Sequence, residues 1–168
     1  LLIGFWHQGA AARDGARTAL IITALGGLCL LTAMLILGYV AGSYDLGIIL
    51  RSGDAVRAHP WYGAILGLFL LGAFTKSAQF PFHFWLPGAM AAPTPVSAFL
   101  HSATMVKAGV FLLVRFSPVL GGTEAWFYVV TSIGMATLIL GAAVALYRHD
   151  LKGLLAYSTI SHLGLITA

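Results

Sequence analysis

The chain has 168 residues, 60% of them hydrophobic and 8% charged, with nine Lys and Arg against five Asp and Glu for a net charge of +4. A soluble domain has about a quarter of its residues charged, so this composition excludes one and makes the lipid bilayer the surrounding medium. The basic residues stand singly at the ends of apolar runs, where they anchor helix ends, and they form no patch for nucleic acid.

At roughly 20 apolar residues per spanning helix, the length holds about four or five crossings. Cys29 is the single cysteine and sits within an apolar run, so neither a disulfide framework nor a cysteine metal site is indicated. The chain begins at Leu1 inside one apolar run and ends at Ala168 inside another, the layout expected of a piece of a longer membrane protein. The expected fold class is all-α and polytopic, a single transmembrane unit.

In chain order, residues 1–6 read as the tail of a helix, with Trp6 and His7 at the interface and Arg13, Asp14 and Arg17 in a short polar turn. Residues 18–40 form an uncharged span whose Gly26 and Gly27 permit close helix packing. From Gly42 to His59 the charged residues Asp45, Arg51, Asp54 and Arg57 mark an exposed connection, with a short interfacial helix over 45–52.

Pro60 opens the next helix, over 61–90, and Pro81 breaks it near residue 80, because a proline removes a backbone donor and its ring crowds the preceding turn. The sequence stays apolar to Met90, so the break falls within the membrane, where irregular backbone is tolerated only inside protein or against water. Pro93-Thr94-Pro95 leads into a helix over 95–115 that ends by Pro118, and a Gly121-Gly122 turn into another over 125–147. Arg148, His149, Asp150 and Lys152 then connect to a last helix over 153–168. Alternating crossings place Arg13, Arg17, Arg148 and Lys152 on one side and Arg51, Arg57 and Arg115 on the other, a bias that favours the first side as cytoplasmic.

Between Ala58 and Val114 the only formal charges are Lys76 and Lys107. A lysine at the centre of a membrane helix costs on the order of 3 kcal/mol, and such residues usually face a wet cavity or a partner. Lys76 stands just before the break, where half-helix carbonyls favour the ammonium while burial favours the neutral amine, a balance that suits proton exchange. The competing reading is a lysine that snorkels to the interface.

His101, Thr104 and Lys107 follow at i+3 spacing and share one helix face, where Thr104 and waters would link the two titratable groups. A histidine has two ring nitrogens and suits a relay, although a lone one is more often a packing residue. His162 follows Ser158, Thr159 and Ser161, and reads equally as a continuation of the polar track or as packing. His83, beside Trp85, reads as a donor to backbone carbonyls freed at the break. No paired-histidine spacing, carboxylate pair, nucleophile elbow or phosphate loop is present, so the sequence marks no metal site, no cofactor and no self-contained enzyme.

The run from Thr75 to Arg115, T-K-S-A-Q-F-P-F-H-F-W-L-P-G-A-M-A-A-P-T-P-V-S-A-F-L-H-S-A-T-M-V-K-A-G-V-F-L-L-V-R, resembles the signature of the antiporter-like proton-translocating subunits. These occur in respiratory complex I and in Mrp-type multisubunit cation/proton antiporters. A second stretch, D-L-K-G-L-L-A-Y-S-T-I-S-H-L-G from Asp150, resembles the connection and helix that follow in the same proteins. F-H-F-W-L-P-G-A-M together with M-V-K-A-G is most similar to the large A-type component of Mrp-type Na+/H+ antiporters, with the NADH dehydrogenase subunit 5 type of complex I as a close relative.

The resemblance implies an inverted-repeat bundle with a broken helix in each repeat, of which this chain would hold most of the first and the start of the second. It implies that Lys76 is the central lysine of the broken helix, and that His101 and Lys107 belong to the next helix of the proton path. The family's membrane glutamate would precede L-L-I-G-F-W and so lie outside this chain. The expected function is proton translocation in a Na+/H+ antiporter of the bacterial inner membrane, by a lysine/histidine relay and alongside other membrane subunits. Proton pumping within complex I is the alternative. A third reading, a scaffold without a proton path, would make Lys76 and Lys107 contacts to lipid or to partner subunits.

Overall fold

The computed structural model describes residues 3–4, 8–90, 92–95 and 105–168. Trp6, His7, His101, Thr104 and the first part of the helix expected over 95–115 lie outside the described residues. Every regular element among the described residues is helical.

Helix α1 (Ala10–Ala41) has 32 residues, about 48 Å at 1.5 Å per residue, and overshoots a hydrocarbon core of about 30 Å. Arg13, Asp14 and Arg17 therefore lie on its first turns rather than in a connecting turn, because the surplus length carries those turns out of the core. The helix ends at Gly42, whose φ of 71° supplies the left-handed cap.

The exposed connection contains two short helices, α2 (Leu46–Arg51) and α3 (Gly53–Ala58). Asp45 caps α2 by accepting from the Gly47 N–H at 2.7 Å. Helix α4 (Tyr62–Lys76) has 15 residues, about 22 Å, and is too short to cross by itself. After an irregular turn the chain resumes in a 3-10 turn (Phe82–Phe84) and a short helix α5 (Trp85–Ala89). Gly15 of α1 abuts the Gly88 carbonyl, so α5 lies at the N-terminal end of α1 and the broken segment completes the return.

Helix α6 (Met105–Leu120) runs back to the side of α2 and α3, and α7 (Glu124–Leu146) and α8 (Leu151–Thr167) form a closely packed pair. Helix α6 continues through Pro118 to Leu120, beyond its expected end, although the proline removes one donor to the preceding turn. Its terminal carbonyls are met from a distance. Arg57 Nη1 donates to Pro118 and Gly121 at 3.0 and 2.9 Å, and the Tyr62 hydroxyl donates to Leu120 at 2.6 Å. Thr123, which caps α7 by accepting from the Trp126 N–H, is also 2.6 Å from the Tyr62 oxygen.

At the opposite side, Lys152 Nζ donates to the Ala92 carbonyl at 3.2 Å. Arg57 and Lys152 thus sit at opposite ends of the bundle, in agreement with the alternation of basic residues.

Two buried clusters fill the interior. One, around Leu37, Ile65, Phe69 and Phe116, lies toward α2 and α3, with the Phe69 and Phe116 rings 5.0 Å apart. The other, around Ile22, Trp85, Leu86, Val106 and Ile160, lies toward α5. Phe82 packs against both, so the break in the helix sits where the two cores meet.

Candidate functional site

Helix α4 stops at Lys76 through a left-handed cap. The Ser77 N–H donates to Ala73 and the Gln79 N–H to Phe74, both at 3.0 Å, with Ala78 between them at φ 50°. This six-to-one closure is the Schellman arrangement, which a glycine normally supplies. An alanine in the left-handed region is disfavoured and needs the surroundings to hold it.

Those surroundings are visible on both sides of Ala78. Trp85, fully buried, donates its indole N–H to the Thr75 carbonyl at 3.0 Å and so ties the second half-helix to the end of the first. On the far side the Phe80 N–H donates to Thr137 Oγ1 of α7 at 2.9 Å, and the Phe82 N–H closes on the Gln79 carbonyl at 2.7 Å across the cis Phe80–Pro81 bond. The break is therefore centred on residues 77–81, immediately after the lysine.

The carbonyls of Ala73, Phe74 and Thr75 are each partnered, so the cap does not offer Lys76 the unpaired acceptors that a simply interrupted helix would have. The half-buried side chain of Lys76 reaches across to α1, its Nζ lying 3.9 Å from where a Cβ on Gly27 would stand. Among the described residues the ammonium has no hydrogen-bond or ion-pair partner.

Small residues set this geometry. A Cβ on Gly26 would collide with Thr75 Oγ1, so α1 and α4 are in contact one residue before the lysine. Gly109 of α6 lies against the Ala73 carbonyl and Ser77 Oγ, where a Cβ would collide with both. The break is thus enclosed by α1, α6, α7 and its own second half.

The other expected site residues take separate positions. Lys107 is exposed on α6, two residues and about 200° from the face that Gly109 presses on the break. His162 is exposed on α8, with Nδ1 2.7 Å from the Ser158 carbonyl. A carbonyl only accepts, so Nδ1 carries the proton and a neutral ring leaves Nε2 as a free acceptor. Among the described residues no hydrogen bond joins Lys76, Lys107 and His162.

Among the described residues His83 does not donate to the freed backbone as expected, since Trp85 fills that role, and its Nδ1 is buried without a partner. Ser77 Oγ and both amide atoms of Gln79 share that condition, and both residues are 0% exposed. Gln79 and Trp85 are the residues to which the sequence reading gave no role. The available signal was an amide alone in an apolar run, two residues before the proline. Among the described residues no group of three or more His, Cys, Asp or Glu side chains gathers to hold a metal.

The family described as "NADH:quinone oxidoreductase/Mrp antiporter, TM" matches residues 1–168. Among curated relatives, a Rhizobium meliloti protein, named as the probable A/B subunit of a K(+)/H(+) antiporter, is 70% identical over 99% of this chain and 17% of its own length. A Staphylococcus haemolyticus protein named "Putative antiporter subunit mnhA2" is 52% identical over 99% of this chain and 21% of its own. The chain thus spans about a fifth of the length of these relatives.

Among solved structures, a chain of the Mrp complex from Dietzia sp. superposes with a TM-score of 0.91 at 48% identity, covering 99% of this chain and 18% of that one. A chain of respiratory complex I from Thermus thermophilus gives 0.77 at 28% identity, covering 94% and 34%. With that family matched over residues 1–168, the chain belongs to the NADH:quinone oxidoreductase/Mrp antiporter transmembrane family, whose A-type antiporter members it resembles.

Proposed function

We propose that this chain is the lysine-bearing part of a cation/proton antiporter subunit, and that Lys76 takes up and releases the transported proton. The observation that carries the reading is an ammonium without a partner among the described residues, at the last residue of a half-helix that stops short of a full crossing, in a chain of this family. A charge there is costly unless it works with a mobile partner. Its neighbour across α1 is a glycine, which leaves the amine room to meet a group outside this chain.

From Lys76 the proton passes by a lysine/histidine relay through His101, Thr104 and Lys107, and His162 extends the track with its free Nε2. The exchanged ion is a monovalent cation: Na+ is the expectation from sequence, and K+ is the ion in the name of the 70% identical relative. The protein works beside other membrane subunits in the bacterial inner membrane.

The test is cation-driven proton movement in everted vesicles carrying the full-length parent complex, comparing wild type with Lys76→Ala at matched assembly. Addition of Na+ or K+ should collapse the pH gradient in wild type and leave it standing in Lys76→Ala. Equal responses would remove Lys76 from the path. The likeness to the complex I chain supports a second reading, proton pumping driven by quinone reduction. Loss of quinone-coupled pumping in Lys76→Ala, with no response to either cation in wild type, would select it.

A further inference from the structure

The helices differ in what holds their first turns. Asp45 caps α2, Thr123 caps α7 and Asp150 caps α8, each by accepting a backbone N–H with a side-chain oxygen. Helix α4 has no such oxygen, since its flanking residue Trp61 makes no side-chain cap. The Trp61 N–H donates instead to His59 Nδ1 at 3.2 Å, and the His59 carbonyl accepts from the Tyr62 N–H at 2.9 Å. Pro60 keeps His59 extended, at φ -79° and ψ 139°, the conformation of a residue before proline. Of these four helices α4 alone starts on a ring nitrogen, and it is the one that ends at Lys76.

A ring nitrogen accepts only while it is bare. The bond to Trp61 therefore needs Nδ1 unprotonated, and the neutral ring carries its proton on Nε2. Histidine is the side chain that ordinarily changes charge between about pH 5 and 8. A second proton makes Nδ1 a donor facing a donor, and sets a positive charge at the positive end of the helix dipole. No carboxylate offsets that charge: among the described residues the ion pair at this end joins Arg57 to Asp54 of α3 at 2.7 Å, and none involves His59. The Tyr62 hydroxyl of α4 is taken by Leu120 and Thr123, and Tyr39 of α1 lines the same groove as the ring. That groove, about 540 Å3 and walled by Leu35, Ile36 and Val40 of α1, gives the half-buried ring room to swing.

We propose that His59 is a pH-sensitive cap on the lysine-bearing half-helix. The neutral ring closes the start of α4; protonation from the side of α2 and α3 turns the ring into the groove, frees the Trp61 N–H and loosens the first turn. The proton taken up from water forms an N–H bond at Nδ1 and is not passed on, so His59 regulates the helix from outside the transport path. Acidification of that side slows transport. The effect on transport rests on the reading of Lys76 as the proton-exchanging group, whereas the effect on α4 does not.

Two measurements on the full-length complex test it. His59→Asn is the main variant, because an asparagine oxygen accepts from the N–H two residues on and does not titrate. In hydrogen–deuterium exchange corrected for the intrinsic pH dependence of the reaction, peptides covering His59 to Leu66 should lose about five-fold of their protection in wild type between about pH 8 and about pH 5.5, the loss of one hydrogen bond, and keep it in His59→Asn. In proteoliposomes with the pH of each face set in turn, the two proteins should carry equal cation-driven proton flux at about pH 8, and wild type should fall to about a fifth of the variant at about pH 5.5 on the face of α2 and α3. His59→Ala, which lacks the acceptor, should resemble acidified wild type at every pH. Equal loss of protection in wild type and His59→Asn would overturn the cap. A difference in protection with equal fluxes would confine His59 to the stability of α4 and overturn its regulatory role. Wild-type flux in Lys76→Ala would remove the role of Lys76 and leave the exchange result to decide the cap by itself.

Discussion

Trp85→Phe should loosen the break without touching Lys76. The indole N–H is 3.0 Å from the Thr75 carbonyl and both residues are almost fully buried, so phenylalanine leaves that carbonyl without a donor. An orphaned buried acceptor costs about 1–3 kcal/mol. The smaller ring also opens a void in a fully buried site, adding about 1 kcal/mol at ~24 cal/mol per Å3. Together these come to roughly 2–4 kcal/mol, or about 30-fold to 1,000-fold in the local opening equilibrium. Hydrogen–deuterium exchange on the purified full-length complex reads that equilibrium directly. Peptides covering Ser77 to Trp85 should exchange at least ten-fold faster in the variant, and peptides from α7 should be unchanged. Trp126→Phe is the control, because no side-chain hydrogen bond of Trp126 is at stake. If Trp85→Phe exchanges like wild type over this stretch, the tie between the two half-helices is not what holds Ala78 in its left-handed conformation.

Gly109→Ala places a methyl group on the Ala73 carbonyl and Ser77 Oγ, so α6 must back away from α4, with a cost of about 1–3 kcal/mol that a lower thermal unfolding midpoint of the complex should report. Tyr62→Phe removes the hydroxyl that joins the Leu120 carbonyl to Thr123, and should destabilise the α4, α6 and α7 corner by about 1–2 kcal/mol in chemical unfolding while leaving proton flux near wild type.

The helices and the break were legible because they rest on local signals: uncharged apolar runs, Pro81 inside one of them, and Gly121-Gly122 between two others. The start of α1 was not, since charged residues on an overshooting helix look the same as charged residues in a turn. The end of α6 depended on donors from Arg57 and Tyr62, about 60 residues earlier, which no local pattern reveals. Lys76 was picked out by its isolation. The residue that shapes the end of its helix, Ala78, carries no signal, because alanine in a left-handed cap runs against its own preference and is held there by Trp85 and Thr137. The same locality explains the misreading of His83: adjacency to the proline made it the obvious donor, but an indole two residues later reaches the carbonyl.

These contacts also bear on why the lysine stands where it does. A lysine at the end of a helix ordinarily lies near carbonyls that lack donors, and they favour its charged form. Here Ala73, Phe74 and Thr75 already accept from Ser77, Gln79 and Trp85, so the half-helix has closed its own end. The ammonium is left with the residual helix dipole and whatever approaches across Gly27. An amine not bonded to its own helix end can meet a group outside this chain, which the proposed role of Lys76 requires. The tight capping and the amine without a partner among the described residues are therefore one arrangement: the carbonyls of Ala73, Phe74 and Thr75 that could hold the ammonium are already taken.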